Sequence, residues 1–378
     1  MNSLIYRVCT RCVMDTTDPN IEFDADGVCD HCHRHLIALA TNVHRGADGR
    51  ERMMKIADEI RRQGAGKAYD CVIGVSGGVD STYTAWLVKE IGLRPLAVHL
   101  DNGWNSEIGV RNIAGTIEKL GIDLYTHVID WEEYRDIQRA FLKANVPDVE
   151  IPTDHAIIAT LYSVARKHGI RTIISGHNDA TESHLPGAWS QGHLDYGYIR
   201  DIHTRFGSGK TATFPKIGFV RYLNNLMSGL DTIFLLNYVD YSREEAISRI
   251  TELGWQDYGG KHHESIFTRW YQGCYLPRKF GYDKRKCHLS SLVSTGEITR
   301  DQALAKLQQP PYDEDVQDQD CDYVAKKLGF TRAELDEIMR APPAHFDQFN
   351  SYWKMLNNPF FMAARKTRKA VLKVRGRA

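Results

Sequence analysis

Residues 70–86 read DCVIGVSGGVDSTYTAW. The apolar run stops at Ser76, turns through Gly77 and Gly78, and continues at once as a helical pattern. A short, almost wholly apolar strand feeding a helix through a glycine turn is the βα junction of a parallel sheet covered on both faces. Such a loop is built for an anion. Glycine lets the backbone come close, and the amides at the helix start donate along the helix dipole. In Val75-Ser76-Gly77-Gly78-Val79-Asp80-Ser81 the two serines add hydroxyl donors, and Asp80 is a candidate magnesium ligand with little packing of its own.

Outward from this loop the same grammar repeats. RPLAVHL (94–100), DLYTHVI (123–129), RTIIS (171–175) and DTIFLLN (231–237) are further short strands, separated by helical stretches such as GVRNIAGTIEKLG. The fold class is therefore α/β, a doubly wound, five-stranded parallel sheet. Residues 1–40 hold paired cysteines, 41–68 a connector helix, 69–257 the α/β domain, 258–350 a basic segment and a mainly helical C-terminal part, and 351–378 a basic tail. Residues 183–230 break the pattern, with one helix expected around 194–206. Ser242 with Glu245 reads as a capping box. GSGKT (207–211) imitates a phosphate loop but has Thr204 where the motif needs glycine, and no strand precedes it.

Composition bounds the rest. The 378 residues are 42% hydrophobic, and 48 basic side chains balance 48 acidic ones. That balance argues against nucleic acid as a partner. The opening MNSLIYRVCTRC has no long apolar core, and no stretch reaches the length of a membrane span, so a cytoplasmic protein without a membrane partner is expected. Cys9-x2-Cys12 and Cys29-x2-Cys32 are two knuckles 16 residues apart, the spacing of a structural, four-thiolate zinc ribbon, with Asp26-Gly27 turning the chain before the second pair. His31, His33 and His35 crowd that pair as less favoured ligands.

SGGVDS resembles the signature of the PP-loop ATP pyrophosphatases over residues 70–240. The resemblance implies strand order 3-2-1-4-5, ATP as substrate, and cleavage between its α- and β-phosphates. It places Leu100, Asp101 and Asn102 of HLDNGW at the adenosine edge. Gly176 and His177 of SGHNDATES fall at the second nucleotide patch, where Asp179 and Glu182 join Asp80 as candidate magnesium ligands.

The opening CTRCVMDTTDPNIEFDADGVCDHC and the segment GGKHHESIFTRWYQGCYLPRKFGYDKRKCHLSS resemble the N-acetyl sugar amidotransferases of bacterial surface-polysaccharide biosynthesis, the WbpG/PseA type. This implies adenylation of an acetamido group on a nucleotide sugar, then displacement of AMP by ammonia to give an amidine, for O-antigen or flagellin glycan. Lys261, Arg269, Lys279, Lys284 and Arg285 are the expected grip on substrate, with Lys284 also a catalytic candidate; His263 and Glu264 are the expected proton movers. Cys71, Cys274 and Cys287 sit in no nucleophile elbow and are too scattered for a redox pair. Ammonia should therefore come from a separate glutaminase of the histidine-pathway kind, with or without its cyclase-like companion. A tRNA-modifying PP-loop enzyme, thiolase or lysidine synthetase in type, is the alternative.

Overall fold

The computed structural model describes residues 5–227, 229–260 and 263–352. Chain order is α1 (Asp30–Asn42), α2 (Gly46–Gln63), β1 (Cys71–Gly74), α3 (Val79–Glu90), β2 (Pro95–Asp101), α4 (Glu107–Lys119), β3 (Asp123–Val128), α5 (Trp131–Lys143) and α6 (Ile151–Lys167). Then come β4 (Thr172–Ser175), α7 (Asp179–Glu182), α8 (Tyr196–Phe206), α9 (Phe219–Met227), β5 (Asp231–Phe234) and α10 (Arg243–Glu252). The C-terminal part is helical: α11 (Ile266–Trp270), a π turn (Tyr271–Tyr275), α12 (Leu276–Phe280), α13 (Arg285–Thr295), α14 (Arg300–Leu307), α15 (Glu314–Leu328) and α16 (Arg332–Arg340).

All strand pairings are parallel and the order is β3-β2-β1-β4-β5. β1 is central and wholly apolar except at its glycine, as a strand buried on both faces must be. β3 lies at an edge and alternates instead, with Leu124 and Val128 exposed. The fifth strand is shorter than its sequence suggests, because Leu235–Tyr238 tightens into a 3₁₀ turn. Ser242 makes one arm of its expected box, accepting from the Glu245 amide, while Thr299 and Thr331 form complete boxes with Gln302 and Glu334.

The boundary expected at residue 257 is not a boundary of cores. Phe141 of α5 and Tyr198 of α8 share one apolar cluster with Phe267, Trp270, Tyr275, Val324 and Leu328 from the C-terminal helices. A second cluster lies between the sheet, α2, α3 and α10. The helical part is thus fastened to the sheet's carboxyl end, where ligands of open α/β sheets bind. Among the described residues no helix is long and apolar enough to cross a membrane.

His155 in α6 is fully buried. Its Nδ1 lies 2.8 Å from the His193 carbonyl, and its Nε2 accepts from the Ile217 amide at 3.0 Å, which fixes a neutral tautomer. Burial pushes its pKa down to about 4. An unfolded chain takes up this proton below about pH 6.5, so stability should fall between roughly 6.5 and 4 and change no further below that. Between pH 7 and 5 this residue should cost about 2 kcal/mol. Urea midpoints of wild type and His155→Gln at the two pH values check it: the variant's drop should be smaller.

Candidate functional site: the loop cleft and its basic annex

The Ser76–Ser81 loop is organised before any ligand arrives. Ser76 and Ser81 hydroxyls lie 3.1 Å apart, Gly78 N donates to Ser76 Oγ at 3.3 Å, and Ser81 Oγ donates to the Gly78 carbonyl at 3.2 Å. Gly77 has φ +81°, and a Cβ there would come within 2.7 Å of the Gly109 carbonyl oxygen. Gly176, after β4, packs so closely on the start of α3 that a Cβ would stand 3.1 Å from the Asp80 carbonyl. Gly77 is required by its positive φ and close approach, while at Gly176 the start of α3 leaves a Cβ only a tight fit.

The loop forms the floor of a cleft of about 770 Å³. Val75, Ser76, Gly78, Val79, Asp80 and Ser81 line it, together with Leu100, Asn102, Gly176, His177, Glu182, Glu264 and Lys284. Asp101 is placed differently from its expected role. Its carboxylate accepts from the Gly103 amide at 2.9 Å and holds the turn after β2, outside the cleft lining. Asp179 is likewise outside the lining, gripped by the side-chain amides of Asn42 (3.0 Å) and Asn237 (2.8 Å). Of the expected magnesium ligands, Asp80 and Glu182 remain in the cleft. Among the described residues these carboxylates do not converge as a three-ligand cage. A magnesium ion on them would take its other ligands from phosphate and water, its usual habit at nucleotides.

A second cavity of about 530 Å³ opens off the first. His263, Arg269, Lys284, Arg285, His288 and Lys306 give it a basic lining. The two cavities share His177, Glu182, Thr268, Gln272 and Lys284. The segment from 264 is stitched to the sheet: the Ser106 amide donates to the Glu264 carbonyl at 2.8 Å and the Ile266 amide to the Trp104 carbonyl at 3.1 Å. This sets Glu264 over the loop, its Oε1 only 3.1 Å from where a Gly78 Cβ would be.

The expected basic grip is redistributed. Arg269 lines the annex but is held by Asp320 through two bonds of 2.7 and 2.8 Å. Arg285 also lines it, paired with Asp283 at 2.7 Å and with the Gln309 carbonyl at 2.8 Å. Lys279 must be corrected. Its ammonium donates to the Ile338 carbonyl and, at 2.7 Å, to that of Ala341, closing the end of α16 outside both cavities. Lys261 lies outside the described residues. Lys284, the residue just before α13, stands at the junction with its ammonium 4.8 Å above the Tyr271 ring.

Sequence reading missed residues 148–154, the end of the turn between α5 and α6 and the first residues of α6. Glu150, Thr153 and Asp154 line the loop cleft, and Asp148 is buried behind them beside Ser190 and His193. Burial pushes the Glu150 carboxyl up, Asp154 adds to that, and it reaches about 8. The signal available was DVEIPTD itself, three carboxylates in seven residues just ahead of a helix.

The four ribbon thiols converge to within 4.8 Å. Sulfur separations are 3.7 Å (Cys12–Cys29 and Cys29–Cys32) and 3.9 Å (Cys9–Cys32). A tetrahedron with Zn–S bonds of about 2.3 Å has edges of about 3.8 Å, so the set fits zinc and is far too open for disulfides. Amides of Arg11, Cys12 and Cys29 donate to Cys9 Sγ at 3.2–3.4 Å, the bonds a thiolate wants. The neighbouring histidines are engaged elsewhere: His31 with Asp18, His33 with Asp24, His35 with His184.

The remaining cysteines were not all as expected. Cys321 brings its sulfur 3.5 Å from Cys274, so these two are a close pair after all. Both are buried in the helical core, outside both cavities. Cys287 touches the annex, where burial pushes its thiol up and away from the nucleophilic form.

Residues 264–359 match the family model described as LPS biosynthesis protein WbpG-like, C-terminal domain. That stretch is similar to a WbpG-like C-terminal domain. Its first residue, Glu264, is the one facing the loop, and Thr268, Gln272 and Lys284 of the junction all belong to it. The rest has the strand order β3-β2-β1-β4-β5 that the resemblance to the PP-loop ATP pyrophosphatases implied. Over 320 residues the chain is 22% identical to an uncharacterized protein of Methanocaldococcus jannaschii, covering 82% of this chain and 95% of that one. Over 108 residues, 28% of this chain, it is 37% identical to a glutamine-hydrolyzing GMP synthase of Pyrobaculum aerophilum, of which it spans only 19%. A solved NH3-dependent NAD synthetase from Campylobacter jejuni aligns with 55% of this chain and 85% of its own, at 14% identity and a TM-score of 0.30.

Proposed function

We propose that this protein is an ATP-dependent, AMP-forming amidotransferase acting on an acetamido group of a nucleotide sugar. One observation carries the reading: the loop cleft opens directly into the basic annex, and the WbpG-like stretch supplies three of the five residues where they meet, Thr268, Gln272 and Lys284. ATP fits the cleft, with its phosphates on the Ser76–Ser81 amides and hydroxyls. The annex suits the phosphates of a nucleotide sugar, whose acetamido group then reaches the junction.

An acetamide is a poor electrophile because resonance places charge on its oxygen. Attack of that oxygen on the α-phosphorus makes it a leaving group and expels pyrophosphate into the loop's donors, while the amide N–H proton is lost to water to leave a neutral O-adenylyl imidate. Magnesium on Asp80 and Glu182 would supply charge neutralisation at the phosphates. Ammonia then adds to the imidate carbon, the carbon–oxygen bond breaks, and AMP departs with the former amide oxygen. The test is incubation with ATP, an ammonium salt, UDP-N-acetylglucosamine and UDP-linked diacetamido sugars. The product should be lighter by about one mass unit and carry a group far more basic than an amide. Turnover that requires tRNA, with no nucleotide sugar consumed, would replace this reading with the tRNA-modifying one.

The nitrogen source is part of the proposal. A glutaminase needs an activated nucleophile at the reacting site; Cys71, Cys274 and Cys287 are buried thiols that burial or a neighbouring thiol pushes up, and Cys321, which Cys274 holds down to about 7, is buried in the helical core outside both cavities. The purified chain should form amidine with ammonium at raised pH, and with glutamine only when a separate glutaminase is added. Amidine formed by the chain alone from glutamine would refute the division of labour.

A further inference from the structure

The amide-to-amidine exchange changes charge as well as atoms, and one wall of the cleft is built for that change. A neutral acetamide enters and an amidinium cation leaves. The loop side of the cleft offers N–H and O–H donors for phosphate, and its carboxylate Asp80, bonded by the Tyr241 hydroxyl, is the candidate magnesium ligand. Elsewhere the lining offers Glu150, from the turn before α6, and Asp154, from the first turn of α6. Glu150 Oε1 accepts a hydrogen bond of 2.5 Å from Thr268 Oγ1, and Thr268 belongs to both cavities. Glu150 is therefore fixed where ATP and the nucleotide sugar must meet. Its amide donates to Asp148 Oδ1 at 2.9 Å, which locks the backbone of the turn.

We infer that Glu150 is the carboxylate that bridges the two nitrogens of the forming amidine, moving a proton between them and then pairing with the amidinium. The inference rests on the amidotransferase reading above. The step balances as follows. The ammonia lone pair forms a bond to the imidate carbon, and the C=N electron pair moves onto the sugar nitrogen. Glu150 takes one proton from the new ammonium nitrogen and returns one to the sugar nitrogen. The lone pair now free on the amino nitrogen expels AMP, whose oxygen keeps the electrons of the broken carbon–oxygen bond. Glu150 ends as it began, a carboxylate facing a planar amidinium, the two-point geometry that arginine makes with acids.

Glu264, expected to move protons, is less well placed for this step because it lies against Gly78 on the pyrophosphate side. Glu150 also has the proton affinity for the task. Its burial and the nearby Asp154 raise it, while Lys284 opposes them from the start of α13. A base whose affinity approaches that of ammonia exchanges protons with it in both directions.

Glu150→Gln tests the assignment with the nucleotide sugar that supports wild-type turnover. Pyrophosphate release should persist within about threefold, because the loop and the amide oxygen are untouched. The ratio of amidine to AMP should fall at least tenfold, since water then consumes the adenylated intermediate, and the KM for ammonium should rise. Thr268→Val, which removes only the hydroxyl holding Oε1, should lower the same ratio by a smaller factor and serves if the first variant unfolds. An unchanged ratio in either folded variant overturns the inference, as does a loss of pyrophosphate release equal to the loss of amidine. Failure of wild type to release pyrophosphate with any nucleotide sugar would instead strike the amidotransferase reading itself.

Discussion

Asp80→Asn is expected to lower pyrophosphate release by about 10³-fold while leaving the protein folded, a loss of the size seen when a principal transition-state stabiliser is removed. Asp80 is the second residue of α3, in the floor of the cleft, where the triphosphate of ATP would carry several negative charges. A carboxylate there is tolerable only if it holds a cation, and asparagine cannot do that task well. The choice of asparagine matters. The loop acid was expected to carry little packing, but the hydroxyl of buried Tyr241 donates to Asp80 Oδ1. Alanine would leave that hydroxyl unsatisfied at a cost of about 1–3 kcal/mol, so its activity loss would be mixed with instability. Asparagine keeps the acceptor. Steady turnover by Asp80→Asn, or release of ADP and phosphate in place of AMP and pyrophosphate by wild type, would contradict the assignment of the loop.

Legibility in the sequence followed the range of the forces involved. The five strands and the loop could be read because each is decided locally: an apolar run, two glycines, a helix start. The ribbon was legible because four thiols at knuckle spacing have few other uses. The basic segment was legible as a whole but not residue by residue. Which of Arg269, Lys279 and Arg285 faces a ligand depends on where Asp320 and the end of α16 fall in space, 51 to 62 residues away along the chain, and for Arg285 on the Gln309 carbonyl 24 residues on. Glu150 was invisible for a related reason. A carboxylate before a helix ordinarily reads as a cap, and only Thr268, 118 residues on, turns it toward the junction. The shared core of α5, α8 and the C-terminal helices was hidden likewise, since amphipathic helices announce that they pack but not against what.

Wild-type protein should carry about one zinc per chain, and Cys12→Ser should lose it together with several kcal/mol of stability, because metal binding at such a site is folding energy. The consequence should reach well beyond the ribbon. Arg300 Nε and Nη2 donate to the carbonyls of Cys9 and Cys12 at 2.9–3.2 Å, and the Val13 amide donates to Ser290 Oγ at 3.2 Å. Lys286 bonds to buried Asp15, and Met14, Trp189 and Cys287 pack in one cluster with the thiols. The ribbon is therefore a brace for α13 and α14. Lys284, at the junction of the two cavities, immediately precedes α13. Without zinc, α13 loses the partner that buries Cys287, so that thiol should react with a water-soluble maleimide many times faster than in wild type. Substrate binding in the annex should weaken at the same time, while a loop that still cradles ATP keeps its own geometry. Zinc retention by Cys12→Ser with an unchanged melting temperature would remove the metal from the ribbon. Zinc loss with Cys287 still protected would confine its effect to residues 5–40 and leave α13 braced by its own core.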